Sequence, residues 1–347
     1  MKIIYGKEQN FMELKHLEKL WAQGVHFLGT QYAILCGAMT WVSEPQLVSA
    51  VSNHGCFGVL AGGNMSVEAL DAQIDATRKL TSKPFGVNLI TIAPNFEKHV
   101  DLVSQKQLSH VIFAGAIPPD KAMIQVKESG AKVICFASTL ALAKKMIKTG
   151  ADALILEGNE AGGHIGPVST TVLAQEILLH VRDVPVFVAG GIGTGEMIAQ
   201  YLLMGASGCQ LGTRFAAAEE SIAHPEFKKK LIHSSARDAQ QTYQFDPFLP
   251  VVPVRAIVNS ATKRFNQLQL NLLQELEDNR IDRKSAQMKL EEFWIGALRS
   301  AVIDGDVDNG SVMAGQSVAF VKKIQPVQEI IRELIEGAEN KLASLYD

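Results

Sequence analysis

The sequence predicts an α/β fold: a (β/α)8 TIM barrel with a smaller, mainly helical cap inserted after strand 8. Two observations predict the barrel. Eight short apolar runs recur 21 to 31 residues apart, starting at residues 33, 58, 85, 110, 132, 153, 184 and 208. Amphipathic helix patterns fill most of the gaps between them. A third observation predicts the cap, because the rhythm stops after Phe215 and a long helical pattern follows.

The runs are AILCG (33–37), GVLAGG (58–63), FGVNLI (85–90), HVIFAG (110–115), KVICFA (132–137), ALILEG (153–158), VPVFVAGGI (184–192) and GCQLGTRF (208–215). Continuous apolar runs of this length suit strands buried on both faces, as in parallel sheets. Helix patterns cover 44–54, 66–80, 118–129, 138–149, 170–181 and 195–204, with a weaker one over 95–107. Ser66, Ser138 and Thr194 stand at N-cap positions, Pro118 and Pro119 suit a first helical turn, and Gly130 and Gly150 suit C-caps. Eight near-equal units describe closure. An open doubly wound sheet would end on two unprotected edges.

Beyond the barrel, 224–249 is polar and mixed. Pro247, Pro250 and Pro253 punctuate an apolar stretch, and one long helix is expected over about 261–302. A clean amphipathic pattern over 327–345 is suited to closing the outer ring. The expected division is 25–220 plus 311–347 for the barrel, 221–310 for the cap and 1–24 for an N-terminal extension.

The net charge of −3 and pI near 6.3 argue against a nucleic-acid partner. There is no apolar run of ~18 residues or more, which argues against a membrane span. The charged N-terminus lacks a signal-peptide core, so a cytoplasmic location is expected. Cys36, Cys56, Cys135 and Cys209 form no CxxC pair and no zinc-ligand spacing; they read as buried thiols, and no metal site is expected.

Barrel enzymes carry their sites where the strands end. That edge collects Gly37, Ala38 and Met39, then Gly62 and Gly63, Asn88, the segment 157–166, Gly190 and Gly191, and Gln210, Gly212 and Thr213. Two adjacent glycine-rich ends, after the seventh and eighth runs, suit a phosphate-bearing ligand. Of the nine histidines, His164 falls in a glycine-rich loop at this edge, where an imidazole can move a proton at neutral pH. His110 opens a strand and belongs at the opposite face. Glu157 suits a ligand hydroxyl. Glu160 is either a second acidic group of the site or a solvated loop charge.

The run EGNEAGGHIG (157–166), followed by VPVFVAGGI and CQLGTRF, resembles the nitronate monooxygenase family, once called 2-nitropropane dioxygenases, which includes the FMN-dependent enoyl-ACP reductases II. GAMTWVSEPQLVSAVSNHGCFGVLAGG (37–63) and KPFGVN (83–88) are similar to the family's opening segment and third strand. GDVDNGSVMAGQ (305–316) is similar to the reductase branch. The resemblance spans about 25–345.

The resemblance implies FMN at the strand ends, beneath the cap. Gly37, Ala38 and Met39 would border the flavin, and Asn88 would hydrogen-bond it. Glu157 would lie near the ribityl chain. Gly190, Gly191, Gln210, Gly212 and Thr213 would hold the phosphate. Met313, Ala314, Gly315 and Gln316 would close over the ring, with Gly163 and Gly166 in the same cofactor set. His164 would be the catalytic residue facing a small-molecule substrate.

Two activities are implied. In one, a nitronate gives an electron to FMN, and O2 completes denitration to a carbonyl and nitrite. In the other, NAD(P)H reduces FMN, which passes hydride to an enoyl thioester, with acyl carrier protein as a partner. The sequence reading places nitronate oxidation narrowly ahead.

Two departures stand out. Ser52-Asn53-His54-Gly55-Cys56 replaces the usual SNAGG, either adding bulk near the ligand edge or merely repacking the loop. FLPVVP (248–253) has no histidine where the reductases carry one, which weakens the thioester assignment. An IMP-dehydrogenase-like reading fails because 159–166 has no cysteine nucleophile. A flavin-binding scaffold without chemistry is the non-enzymatic alternative, against which His164 counts. A homodimer is allowed but nothing in the sequence demands one.

Overall fold

The computed structural model describes residues 14–249 and 252–346. Eight parallel strands close into a barrel in the order β1-β2-β3-β4-β5-β6-β8-β9. These are β1 (Ile34–Cys36), β2 (Phe57–Ala61), β3 (Phe85–Ile90), β4 (His110–Ala114), β5 (Lys132–Ala137), β6 (Ala153–Glu157), β8 (Val186–Ala189) and β9 (Gly208–Leu211). Three short strands lie outside the barrel, β7 (Gly163–His164), β10 (Ala239–Gln241) and β11 (Val254–Ile257), and they form a separate sheet in the order β10-β11-β7. Closure is made by β9 pairing with β1, with Ile34 opposite Cys209 and Leu35 opposite Gln210. The expected fold is therefore the observed one. Nearly every strand residue is buried, as strands covered on both sides require. All four cysteines are free and buried in or beside these strands.

The outer ring is α3 (Pro45–Asn53), α4 (Val67–Leu80), α5 (Phe96–Gln105), α6 (Asp120–Glu128), α7 (Leu140–Thr149), α8 (Thr170–Leu178), α9 (Gly195–Leu203) and the C-terminal α14 (Val327–Tyr346). Ser66 caps α4 by accepting from the Ala69 N–H, and Gly150 ends α7 at φ 114°. Three expectations shift. Thr139, not Ser138, caps α7, because its Oγ1 reaches the Leu142 N–H. Pro119 is extended at φ −60°, ψ 138° and precedes α6 rather than entering its first turn. The eighth run ends as a strand at Leu211, and α10 (Thr213–Ala216) follows at once.

The N-terminal face is sealed by α1 (Leu17–Leu20) and α2 (Ala22–Leu28). Leu17, Trp21 and Leu28 are buried in the barrel's core cluster. The backbone N–H groups of His16 and Leu17 donate to the Glu339 carboxylate on α14. The first half of the expected 1–24 extension lies outside the described residues.

After α10 come α11 (Pro225–Ile232), α12 (Ser260–Glu277) and α13 (Arg283–Arg299). The single helix expected over 261–302 is thus two helices. Asn279 breaks it at φ 55°, and Asp282 restarts it by accepting from the Ser285 N–H. A second apolar cluster holds Leu249, Val254, Phe265, Leu272, Ala286, Leu290 and Trp294. Ala223, Phe227, Leu231, Leu298 and Val302, towards the two ends of 221–310, pack instead with the barrel core. Pro250 and Val251 of FLPVVP lie outside the described residues. Among the described residues, no helix is long and apolar enough to cross a membrane.

Candidate active site at the barrel rim

The loop after β6 organises the rim. Gly158 donates its N–H to the Ala189 carbonyl, and a Cβ there would sit 2.1 Å from Thr170 Oγ1. Glu160 settles its two expected readings: its carboxylate accepts from the Thr170 N–H (2.7 Å) and hydroxyl (2.6 Å). It therefore caps α8, whose Ser169 makes no side-chain cap, and favourably opposes the helix dipole. Gly162 and Gly315 meet backbone to backbone: a Cβ on Gly162 would lie 2.5 Å from the Gly315 nitrogen. Gln316 donates its N–H to the Glu160 carbonyl, and Gly315 donates its N–H to Thr213 Oγ1 at 3.0 Å. One chain of contacts thus joins the 158–163 loop, the 313–316 segment and the start of α10.

His164 lies two residues beyond Gly162, on β7. This strand pairs antiparallel with β11 (Val254–Ile257), placing Val254 opposite His164 and Arg255 opposite Gly163. The Ile165 N–H donates to the Pro253 carbonyl, continuing the ribbon. The imidazole is half exposed, with Nε2 3.3 Å from Glu291 Oε2 on α13. Beneath it, buried Arg255 donates to the carbonyls of Asn159 (2.8 Å) and Ala239 (2.6 Å). Burial lowers its pKa.

The glycine-rich ends lie where expected. Gly190 and Gly191 turn at φ 102° and 74°, conformations that glycine adopts without a Cβ penalty. Gly191 packs on Glu160, where an added Cβ would lie 2.9 Å from Glu160 Cβ. A cleft of about 260 Å3 opens beside this loop, lined in part by Gly191, Gly193, Thr194 and Phe320. Gly212 is the N-cap of α10 and Thr194 that of α9, and neither supplies a side-chain cap. In α10 the Phe215 and Ala216 N–H groups donate back to the Gly212 carbonyl, which leaves those of Thr213 and Arg214, with the first N–H groups of α9, as donors to an anion. A short extra helix after the eighth barrel strand is the usual form of a barrel phosphate site.

On the other side of the rim, Ser43 Oγ donates to the Gly37 carbonyl (2.9 Å) and accepts from the Met39 N–H (3.0 Å), tying down 37–39. The Met39 sulfur lies against Gly212, and the Gln210 side chain against Gly37. Asn88 is buried on β3, level with Ala61 and Ile112. Trp41 holds φ 66°, and its buried indole N–H lacks a hydrogen-bond partner. Glu157 sits at the tip of β6, with Gly166 against its carbonyl. Burial pushes its carboxyl up to about 8.

Residues 52–56 are not part of this rim. They join α3 to β2 at the N-terminal face, where the Gly55 carbonyl accepts from the Gln31 and Tyr32 N–H groups. The expectation that His54 and Cys56 could crowd the ligand edge is corrected; Cys56 is fully buried packing. Arg214 likewise turns away, bonding the Phe320 carbonyl and Glu333 on α14. Sequence reading missed Glu291 and Ser43. A serine six residues after a strand-end glycine was a faint local signal, whereas Glu291 had none.

Comparison with known proteins decides the family. The nitronate monooxygenase family model matches residues 23–96 and 90–337. The chain belongs to the nitronate monooxygenase family. FabK from Thermotoga maritima has a TM-score of 0.83 at 35% identity, covering 93% of this chain and 97% of that one. A (3aS,4S,5R,7aS)-5-hydroxy-7a-methyl-1-oxo-octahydro-1H-indene-4-carboxyl-CoA dehydrogenase from Rhodococcus jostii is 29% identical, covering 92% of this chain and 96% of its own. A probable nitronate monooxygenase from Staphylococcus aureus is 29% identical over 63% of this chain and 74% of its own. The protein is accordingly an oxidoreductase of the nitronate monooxygenase and enoyl-ACP reductase II family.

Proposed function

We propose that the protein is an FMN-dependent oxidoreductase that acts on an acyl thioester, with NAD(P)H as co-substrate. One observation carries the flavin reading: a half-exposed imidazole shares one rim with two uncapped helix starts. The thioester preference rests on length of likeness. The carboxyl-CoA dehydrogenase and FabK match nearly end to end, the nitronate monooxygenases over less of the chain. This reverses the order expected from sequence alone. Denitration of nitronates remains the second reading, favoured by the family model and the Staphylococcus relatives.

The rim fits the cofactor. The uncapped N–H groups suit its phosphate, and the unpartnered Trp41 indole and raised Glu157 carboxyl are polar groups the protein itself leaves unmet. When bound, FMN supplies the hydride or electron transfer. Gly190, Gly191, Gly212 and Thr213 would hold the phosphate, with Gln210 beside them. Glu157, protonated at neutral pH, would donate to a ribityl oxygen or accept from a hydroxyl. Gly37, Ala38, Met39 and Asn88 would border the ring on one side; Gly163, Gly166, Met313, Ala314, Gly315 and Gln316 would border it on the other. His164 would orient the substrate and exchange its proton. The 221–310 segment would act as the cap that excludes water. An acyl carrier protein is the alternative to coenzyme A as the thioester's carrier.

Purified protein should be yellow and release FMN on denaturation. Colourless protein that takes up no FMN removes the flavin reading. Anaerobic mixing separates the branches: NADPH should bleach the flavin and crotonyl-CoA should restore it. Bleaching by propyl nitronate but not NADPH would select the second reading.

A further inference from the structure

We infer that Arg255, on the central strand of the three-stranded sheet, is a positioning residue that holds the loop leading to His164 against that sheet. This rests on the proton-transfer role proposed for His164. Arg255 is 6% exposed and its guanidinium is held at two points. Its Nε donates to the Asn159 carbonyl at 2.8 Å, in the loop after β6. Its Nη1 donates to the Ala239 carbonyl at 2.6 Å, at the start of β10.

Strand pairing alone does not reach that far. β7 is two residues long, with Gly163 opposite Arg255 and His164 opposite Val254. The Ile165 N–H adds one bond, to the Pro253 carbonyl. Just ahead of His164 the chain runs through Gly162 and Gly163, and Gly163 stands at φ 77°, so the backbone there turns readily. Before that glycine pair the loop is anchored to the barrel side. The Asn159 N–H donates to the Val168 carbonyl, and the Glu160 carboxylate accepts from Thr170. Arg255 bridges the pair: its backbone lies opposite Gly163, and its side chain grips Asn159 on the far side.

The residue type points the same way. Glu160 is the carboxylate that attracts Arg255, but its hydrogen bonds go to Thr170, so the cation is held by carbonyls. A buried charge stabilises a fold poorly, and an apolar side chain of like volume often serves as well. A guanidinium offers what neither that nor an ammonium does. It carries several donors in one rigid plane, able to fix two carbonyls from different segments at a set separation. What Arg255 contributes is therefore geometry at His164 more than stability.

Hydrogen exchange read by mass spectrometry tests this strut without flavin or substrate. Arg255→Lys keeps the charge but has a single nitrogen, enough for one carbonyl. It should raise exchange over 159–165 while leaving β4, at the opposite face, as it was. In NADPH-dependent crotonyl-CoA turnover, counted per bound FMN, Arg255→Lys should lower kcat by about 10–10²-fold, with KM within about twofold. Added to His164→Ala it should change nothing further. In Arg255→Ala, guanidinium at a millimolar, non-denaturing concentration should restore part of the lost kcat, and methylammonium should not. Unchanged exchange over 159–165 in Arg255→Lys overturns the strut. Raised exchange with unchanged kcat overturns the positioning role. Rescue by methylammonium as full as by guanidinium means that charge alone acts, and overturns the two-point grip. If the parent turns over no thioester, or His164→Ala keeps full turnover, the functional reading fails, while the exchange result still stands or falls alone.

Discussion

Two histidines mark the two faces of this barrel. His110 opens β4 at the N-terminal face and is 2% exposed. Its Nε2 meets the Phe27 carbonyl and its Nδ1 the Ser109 hydroxyl, both at 3.0 Å. Phe27 and Phe57 pack edge-on against it. His164 sits at the other face, half exposed, with one carboxylate for company. At the N-terminal face both His110 ring nitrogens are paired, and of the neighbouring polar groups the His16 Nε2 is buried without a partner. The rim leaves an indole, a carboxyl and two helix starts unmet. The fold spends one end on stability and keeps the other's hydrogen-bonding capacity for a ligand.

The largest expected effect breaks the rim without touching the fold. His164→Ala should lower turnover by about 10²–10⁴-fold, the usual range for losing a general acid or base, while FMN is retained and the melting midpoint barely moves. Unchanged kinetics would remove the role given to His164.

At the opposite face the readout is pH. Burial pushes the His110 imidazole down from 6.5 to about 4. Between these values the unfolded chain binds a proton that the folded chain refuses. The contribution is present above 6.5 and lost as pH falls towards 4, about 3 kcal/mol in all. His110→Gln should be less stable at neutral pH but show a shallower loss across this window by urea denaturation. An equal slope would mean His110 is not the group responsible.

The barrel was legible because each strand is a continuous apolar run and each turn is marked by glycine. The catalytic edge was legible because strand ends and chemistry coincide in this architecture. Legibility failed where tertiary placement decides. The fate of Glu160 depended on where α8 begins in space. Residues 52–56 resembled a ligand loop by motif, yet a loop from helix to strand must fall at the N-terminal face. Glu291 comes near His164 only because Val254, opposite His164 in the ribbon, and Trp294, on α13, share a cluster. The break at 278–282 was readable in principle, since Asp282 precedes Ser285 as an N-cap should.

Two rim glycines separate helix packing from loop packing. A Cβ on Gly195, at the start of α9, would lie 2.1 Å from the Leu334 carbonyl, where α9 meets α14. Gly195→Ala should cost about 1–3 kcal/mol by forcing these helices apart, and flavin retention should fall with it because the same helix start faces the rim. Gly162→Ala creates a similar backbone clash, 2.5 Å from the Gly315 nitrogen. Gly162 itself is exposed and its loop can yield, so the melting midpoint should fall less than in Gly195→Ala while turnover falls. An equal fall in midpoint would mean that the 158–163 loop is as rigid as the α9–α14 contact.

The smallest effect runs against intuition. Burial alone raises the Glu157 carboxyl from 4.5 to about 8. Folded, ligand-free protein therefore keeps a proton that the unfolded chain releases above 4.5, so stability falls as pH rises from there towards 8. Removing the ionisable group removes that penalty. Glu157→Gln should raise the ligand-free melting midpoint at pH 7.5 by about 2–4 °C, and the gain should vanish near pH 4.5. The amide can still exchange hydrogen bonds with a ribityl hydroxyl, so FMN affinity should fall only modestly. Glu157→Ala, which cannot, should lose more. An unchanged midpoint at pH 7.5 would mean that the carboxyl is solvated and ionised, and that the rim holds less unmet polarity than the comparison of the two faces requires.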